Sequence, residues 1–129
     1  MSDMKAIVVE FVEEGNDKAD QVERHLIALE KNPKSRELLI EVFRALHSIK
    51  GATSFLGFTK LCALAHTGES LLARLRDGAL VVNPEIASAL LSLVDAIRGM
   101  LTEIAATGQE GNADHAALIA TLTRLQKTT

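Results

Sequence analysis

At 129 residues, with 47% apolar and 24% charged side chains, the chain has the length of one domain and the composition of a soluble globular protein. A formal net charge of −3 argues against nucleic acid and anionic membrane surfaces as partners, since both reward clustered Lys and Arg. Aromatic residues are 3% of the chain, with no Trp or Tyr, and a core built from Leu, Ile, Val and Ala suits helix packing better than sheets.

The first periodic stretch sets Val8, Phe11, Gly15, Ala19, Val22, Leu26 and Leu29 three or four apart, which at about 100° per residue makes one apolar stripe of a helix. Gly15 is unfavourable there by roughly 1 kcal/mol relative to Ala, and its place on the stripe implies close approach of a neighbouring helix. The acidic residues Glu10, Glu13, Glu14 and Asp17 read as a solvated face, and Asn32 and Pro33 end the helix. Ser35 then offers an N-cap, and Leu39, Val42, Leu46, Ile49 and Thr53 form the stripe of a second helix reaching about Ser54 or Phe55.

Gly57 marks a turn, and Thr59 is placed to cap a third helix with Leu61, Leu64, Ala65, Gly68, Leu71, Leu72 and Leu75 inside. Asp77 and Gly78 close it. Asn83 and Pro84 give a cap with proline at the first helical position, opening a fourth helix with Ile86, Leu90, Leu93, Ile97, Leu101 and Ile104 inside. Gly108 and Gly111 break the chain again, and a short last helix from about Asp114 carries Leu118, Leu122 and Leu125. The expected fold is all-α: an up-down four-helix bundle with an additional C-terminal helix, forming a single domain over residues 1–129.

The one cysteine, Cys62, excludes an internal disulfide and a thiolate zinc cluster and reads as inert packing. No stretch of about 18 consecutive apolar residues occurs, and the apolar run near the N-terminus is too short and too acidic in its flanks for a signal peptide. The expectation is a cytoplasmic protein.

Polar residues on the second and third helices carry the chemistry. His47 projects about 90° from the middle of its helix's apolar stripe, in company with Phe43, Lys50 and Ser54, so its ring is part packed and part open. Gly51, one turn later, is odd in a strong helical pattern and calls for close approach of another body, either a neighbouring helix or a docking protein. On the third helix His66 and Glu69 point the same way, three apart, off the flank of the leucine stripe. A carboxylate that accepts the N–H of one imidazole nitrogen fixes the tautomer and leaves a nucleophilic lone pair on the other. A lysine one turn from the histidine would offset anionic charge at an attacked phosphorus.

Two runs, FRALHSIKGATSFLGF from Phe43 to Phe58 and LCALAHTGESLLARLRDG from Leu61 to Gly78, closely resemble the histidine phosphotransfer domain of bacterial chemotaxis-type sensor kinases, the CheA family. The first helix, with FVEEGNDKADQVERHLIALE, is similar as well, and the last two match in pattern. The resemblance implies that His47 is phosphorylated, that Glu69 orients its imidazole, that Lys50 and His66 complete the polar site, and that Gly51 belongs to the invariant motif. It also implies that no cofactor is bound by this domain, that ATP sits on the histidine kinase domain of the partner, and that the phosphoryl group leaves to an aspartate of a response regulator receiver domain. The domain would then be a carrier within a histidine kinase system, either an excised module or a stand-alone protein, with the end just after the fifth helix favouring excision. A metal site from His47, His66 and Glu69 lacks the paired spacing of helical metal centres. An inert scaffold is opposed by the intact motifs. His25 and His115, outside them, read as surface or satisfied residues.

Overall fold

The computed structural model describes residues 2–127, and among these there are five helices and no strand. They are α1 (Ser2–Lys31), α2 (Arg36–Leu56), α3 (Thr59–Arg76), α4 (Pro84–Thr107) and α5 (Ala116–Leu125). Each of α1 to α4 packs on two others, α1 on α2 and α4, α3 on α2 and α4, which closes an up-down ring; α5 lies against α3 and α4. The expected bundle with an added C-terminal helix is what forms.

The apolar stripes turn inward as their spacing dictates. Leu46, Leu64, Leu72, Leu93 and Leu101 are fully buried at the centre, and Leu122 and Leu125 of α5 extend that core beneath the α3–α4 seam. Each such leucine contributes about 1.5–3 kcal/mol through removal from water. Gly15 behaves as its position implies: a methyl group there would sit 3.0 Å from Leu101, so α1 and α4 meet closely at that level.

α1 begins earlier than its stripe suggests. It already runs at Ser2, with Asp3 in the first turn where negative charge favours the helix dipole, while Met4, Ile7 and Val9 remain exposed. Ser35 caps α2 by accepting from the Leu38 amide at 3.3 Å, and Asn83 caps α4 by accepting from the Ile86 amide at 2.8 Å. Gly57, at φ 82°, ends α2 in the left-handed conformation that favours glycine.

The start of α3 differs from expectation. Thr59 is its first residue and caps nothing; Phe58 occupies the cap position, because its ring is needed inside, stacked on Phe11 with centroids 5.7 Å apart. The free amides are satisfied from far along the chain instead. Glu110, in the α4–α5 loop, accepts from the Leu61 amide at 2.9 Å and the Lys60 amide at 3.2 Å, and the Lys60 ammonium donates to the Gly111 carbonyl at 3.3 Å. The carboxylate faces the positive end of the helix dipole. Glu110→Ala is therefore expected to destabilise the protein by about 1 kcal/mol, as loss of an N-cap does, read as a lower urea midpoint at unchanged slope. α5 likewise begins two residues later than Asp114, whose carboxylate accepts from the Ala116 amide at 2.9 Å.

Candidate functional site

The α2–α3 contact presents His47, Lys50, His66 and Glu69 along one seam. Glu69 is drawn into it by its neighbour on α3. Gly68 has no side chain because a methyl group there would meet Leu93 of α4 at 2.3 Å and Leu46 of α2 at 3.3 Å, so α3 settles between both helices at this level. Glu69 is consequently 8% exposed, one of two polar or charged residues found buried among those described, the other being Thr53.

A buried carboxylate must be paired. Here both oxygens are: Oε2 lies 2.6 Å from His47 Nδ1, and Oε1 accepts from Lys50 Nζ at 2.7 Å. Burial pushes the Glu69 carboxyl up, but the hydrogen bonds from Lys50 and then from His47, together with the Lys50 charge, outweigh it and hold the group below its ordinary value. Glu69 is thus an anion at neutral pH. An anionic carboxylate accepts only, so Nδ1 of a neutral His47 carries the proton and Nε2 keeps its lone pair. The His47 side chain is 64% exposed, which leaves the ring accessible while Glu69 anchors it.

Each residue singled out from the sequence finds a definite place, and several of them differ in detail from expectation. His47 is more open than an edge-of-core position suggests, with most of its side chain exposed beside the buried Leu46 and Ile49. Lys50 does not stand free beside the histidine; its ammonium is spent on Glu69 and fixes the carboxylate. His66 stays at the margin: its Nδ1 is 3.9 Å from Glu69 Oε1, beyond a hydrogen bond, and its side chain is 61% exposed.

Gly51 corrects half of its expectation. No atom lies within 4 Å of a methyl group built there, so close packing of a neighbouring helix is not the reason for the glycine. It leaves bare backbone one turn from His47, on an exposed surface that also carries Phe55. Gly51→Ala is expected to raise stability by up to about 1 kcal/mol, read as a higher melting temperature, because alanine favours the helix and meets nothing.

Several contributors were not legible from the sequence as site residues. Thr53, fully buried, turns its hydroxyl back to the Lys50 carbonyl at 2.7 Å, and Gly68 seats the helix that carries Glu69. Phe43 lies parallel to the His47 ring, at 9° with centroids 6.2 Å apart, and the Arg76 guanidinium sits over Phe43 at 4.5 Å. The position of Gly68 within AHTGE, on the buried stripe and next to a carboxylate, was the signal available for it.

The remaining histidines are placed elsewhere, His25 on α1 and His115 just before α5. Both are half-buried, and His25 Nδ1 and His115 Nε2 have no hydrogen-bond partner, so they are less solvated than expected. Among the described residues, no group of three or more His, Cys, Asp or Glu is arranged to hold a metal ion.

Comparison with known proteins gives the same pattern. The Hpt domain family matches residues 6–126. The sensor histidine kinase CheAY of Helicobacter pylori is 35% identical over 112 residues, covering 87% of this chain and 14% of that protein, so the chain spans about a seventh of that curated relative. The CheA phosphotransferase domain from Thermotoga maritima is 34% identical, with a TM-score of 0.74 over 78% of this chain and 95% of that one. The phosphorylated P1 domain of CheA3, solved in complex with CheY6 from R. sphaeroides, is 28% identical, with a TM-score of 0.84 over 94% and 95% of the two chains. With motif, site geometry and fold in agreement, the chain belongs to the Hpt domain family, in its CheA chemotaxis-kinase branch.

Proposed function

We propose that this chain acts as one phosphotransfer domain in which His47 receives a phosphoryl group from ATP held on a histidine kinase domain and yields it to an aspartate of a response regulator. The observation that carries the reading is the 2.6 Å contact between His47 Nδ1 and a buried, anionic Glu69 while the rest of the ring stays open. Similarity to a phosphorylated P1 domain solved with CheY6 supports a receiver as the acceptor.

The residues allow the step to be followed atom by atom. The Nε2 lone pair attacks the γ-phosphorus, the P–N bond forms, and the bond to the bridging oxygen breaks with its electron pair leaving on ADP. The ring then carries positive charge beside its retained Nδ1 proton, and Glu69 stabilises that charge at once because it is already ionised and oriented. Lys50 prevents the carboxylate from turning away or taking up the proton. In the second transfer a receiver carboxylate oxygen attacks phosphorus and the P–N electron pair returns to Nε2, restoring the starting state. Catalysis by position at both steps needs two partners to reach one exposed nitrogen, and the open helix surface at Gly51 supplies room for their approach.

Among the described residues no helix is long and apolar enough to cross a membrane, and we place the domain in the cytoplasm, where ATP is available. The test is incubation with ATP and a chemotaxis-type kinase core, read by intact mass at neutral to basic pH because a P–N bond is acid-labile. Wild type is expected to gain one phosphoryl group and His47→Gln none. Equal labelling of the variant would remove His47 from its role; a folded wild type left unmodified by such cores would remove the carrier function.

A further inference from the structure

An imidazole as exposed as that of His47 has few contacts to hold it. Glu69 holds Nδ1 at 2.6 Å, which limits rotation about Cβ–Cγ from one edge of the ring and leaves its faces to other contacts. A second contact is Phe43, one turn earlier on α2. The two rings are nearly parallel, 9° apart with centroids at 6.2 Å, within the range of offset stacking. Phe43 is half-buried against the core at its base, so it is not itself free to turn. Its face is covered by the Arg76 guanidinium at 4.5 Å, reaching across from α3, and Arg76 is steadied in turn by Asp77, with Nε to Oδ1 at 3.0 Å.

We propose that Phe43, clamped across the seam by Arg76, is a positioning residue for the phosphoryl transfer: it fixes the plane of the His47 ring so that Nε2 faces the incoming phosphorus. The inference rests on the phosphoacceptor role of His47. Glu69 and Phe43 divide the work, the carboxylate setting which nitrogen carries the proton and the aromatic wall setting the plane in which the ring lies. Neither Phe43 nor Arg76 touches the transferred group. Their effect is therefore on the maximal rate and on the order of the ring, not on affinity for the kinase.

The experiment pairs kinetics with NMR of the His47 ring in the full, 15N-labelled chain. Phe43→Leu keeps an apolar base for the core and removes the flat wall; Phe43→Tyr restores it; Arg76→Ala, at a half-buried position, removes the clamp. Phe43→Leu is expected to lower kcat for phosphoryl uptake about five- to tenfold with KM changed less than about twofold, and to broaden the His47 ring resonances. Phe43→Tyr is expected to return both to wild type, and Arg76→Ala to show a smaller change in the same direction. Unchanged ring resonances and unchanged kcat in a folded Phe43→Leu protein would overturn the proposal, as would a loss in KM alone. If Phe43→Leu does not fold, Arg76→Ala decides by the same two readouts. The ring spectrum needs no phosphorylation, so an unlabelled wild type would sink the carrier reading while the positioning of His47 is still decided by NMR.

Discussion

Glu69→Gln is expected to reduce the rate of phosphoryl uptake by about 10²- to 10³-fold while leaving the helices intact. Three losses combine in this one substitution. The amide can donate to His47 Nδ1 as readily as accept from it, so the ring is no longer held in the tautomer with its lone pair on Nε2. The positive charge that develops on the ring loses its counter-ion. Lys50, whose side chain is 25% exposed, loses the partner at 2.7 Å and leaves a cation beside the ring instead of an ion pair. Rates measured at saturating kinase core and ATP check the figure, and a loss below about threefold would show that orientation by Glu69 is not what activates His47.

The same carboxylate gives the protein a defined response to acid. Because the Glu69 carboxyl titrates below its ordinary value when folded, its contribution to stability is fully present above the unfolded value, about 4.5, and is lost as the pH falls through the lower folded value. Unfolding free energies of wild type and Glu69→Gln should accordingly differ most near neutral pH and converge once the pH falls below the folded value. A difference that grew on acidification would mean that burial, not the Lys50 and His47 hydrogen bonds, dominates the carboxyl.

Gly68→Ala should be the most damaging small substitution in the bundle. Alanine in a helix is ordinarily favoured over glycine by about 1 kcal/mol, yet here its methyl group would lie 2.3 Å from a Leu93 methyl and 3.3 Å from one of Leu46. Those side chains are fully buried, and moving them disturbs the packing between α2, α3 and α4. Overpacking of this kind costs about 1–3 kcal/mol, which for a domain of this size lowers the melting temperature by several degrees. Phosphoryl uptake should fall as well, because Glu69 is the next residue on α3 and shifts with it. Gly51→Ala is the matched control, with the same change of residue in open space and the opposite sign in stability.

How far the sequence reveals the molecule depends on what each feature rests on. Apolar residues at helical spacing placed the faces of α1 to α4 correctly because burial of leucine outweighs every local preference there, and Ser35 and Asn83 announced two helix starts because their partners lie three residues away. The start of α3 was not readable, since its cap comes from Glu110, about 50 residues downstream. At the site, the pairing of His47 with Glu69 followed from the motif and the chemistry of a tautomer. Lys50 was read as facing the phosphoryl group because spacing along one helix says nothing of which oxygen across the seam will claim an ammonium. Gly51 and Gly68 show the same limit: both are mid-helix glycines, and only the packing tells that one is filled on both sides and the other faces empty space.

The reach of Glu110 back to α3 also bears on the order in which the chain folds. α1, α2 and most of α3 can associate as soon as they are made, since their contacts lie close in sequence. The first turn of α3 cannot be finished so early, because the acceptor for its Lys60 and Leu61 amides arrives only after α4 has packed and its following loop has turned back. Closing so long a stretch of chain should make the turn a late event, formed after the rate-limiting barrier rather than within it. Weakening it should then speed unfolding and leave the refolding rate nearly as it was.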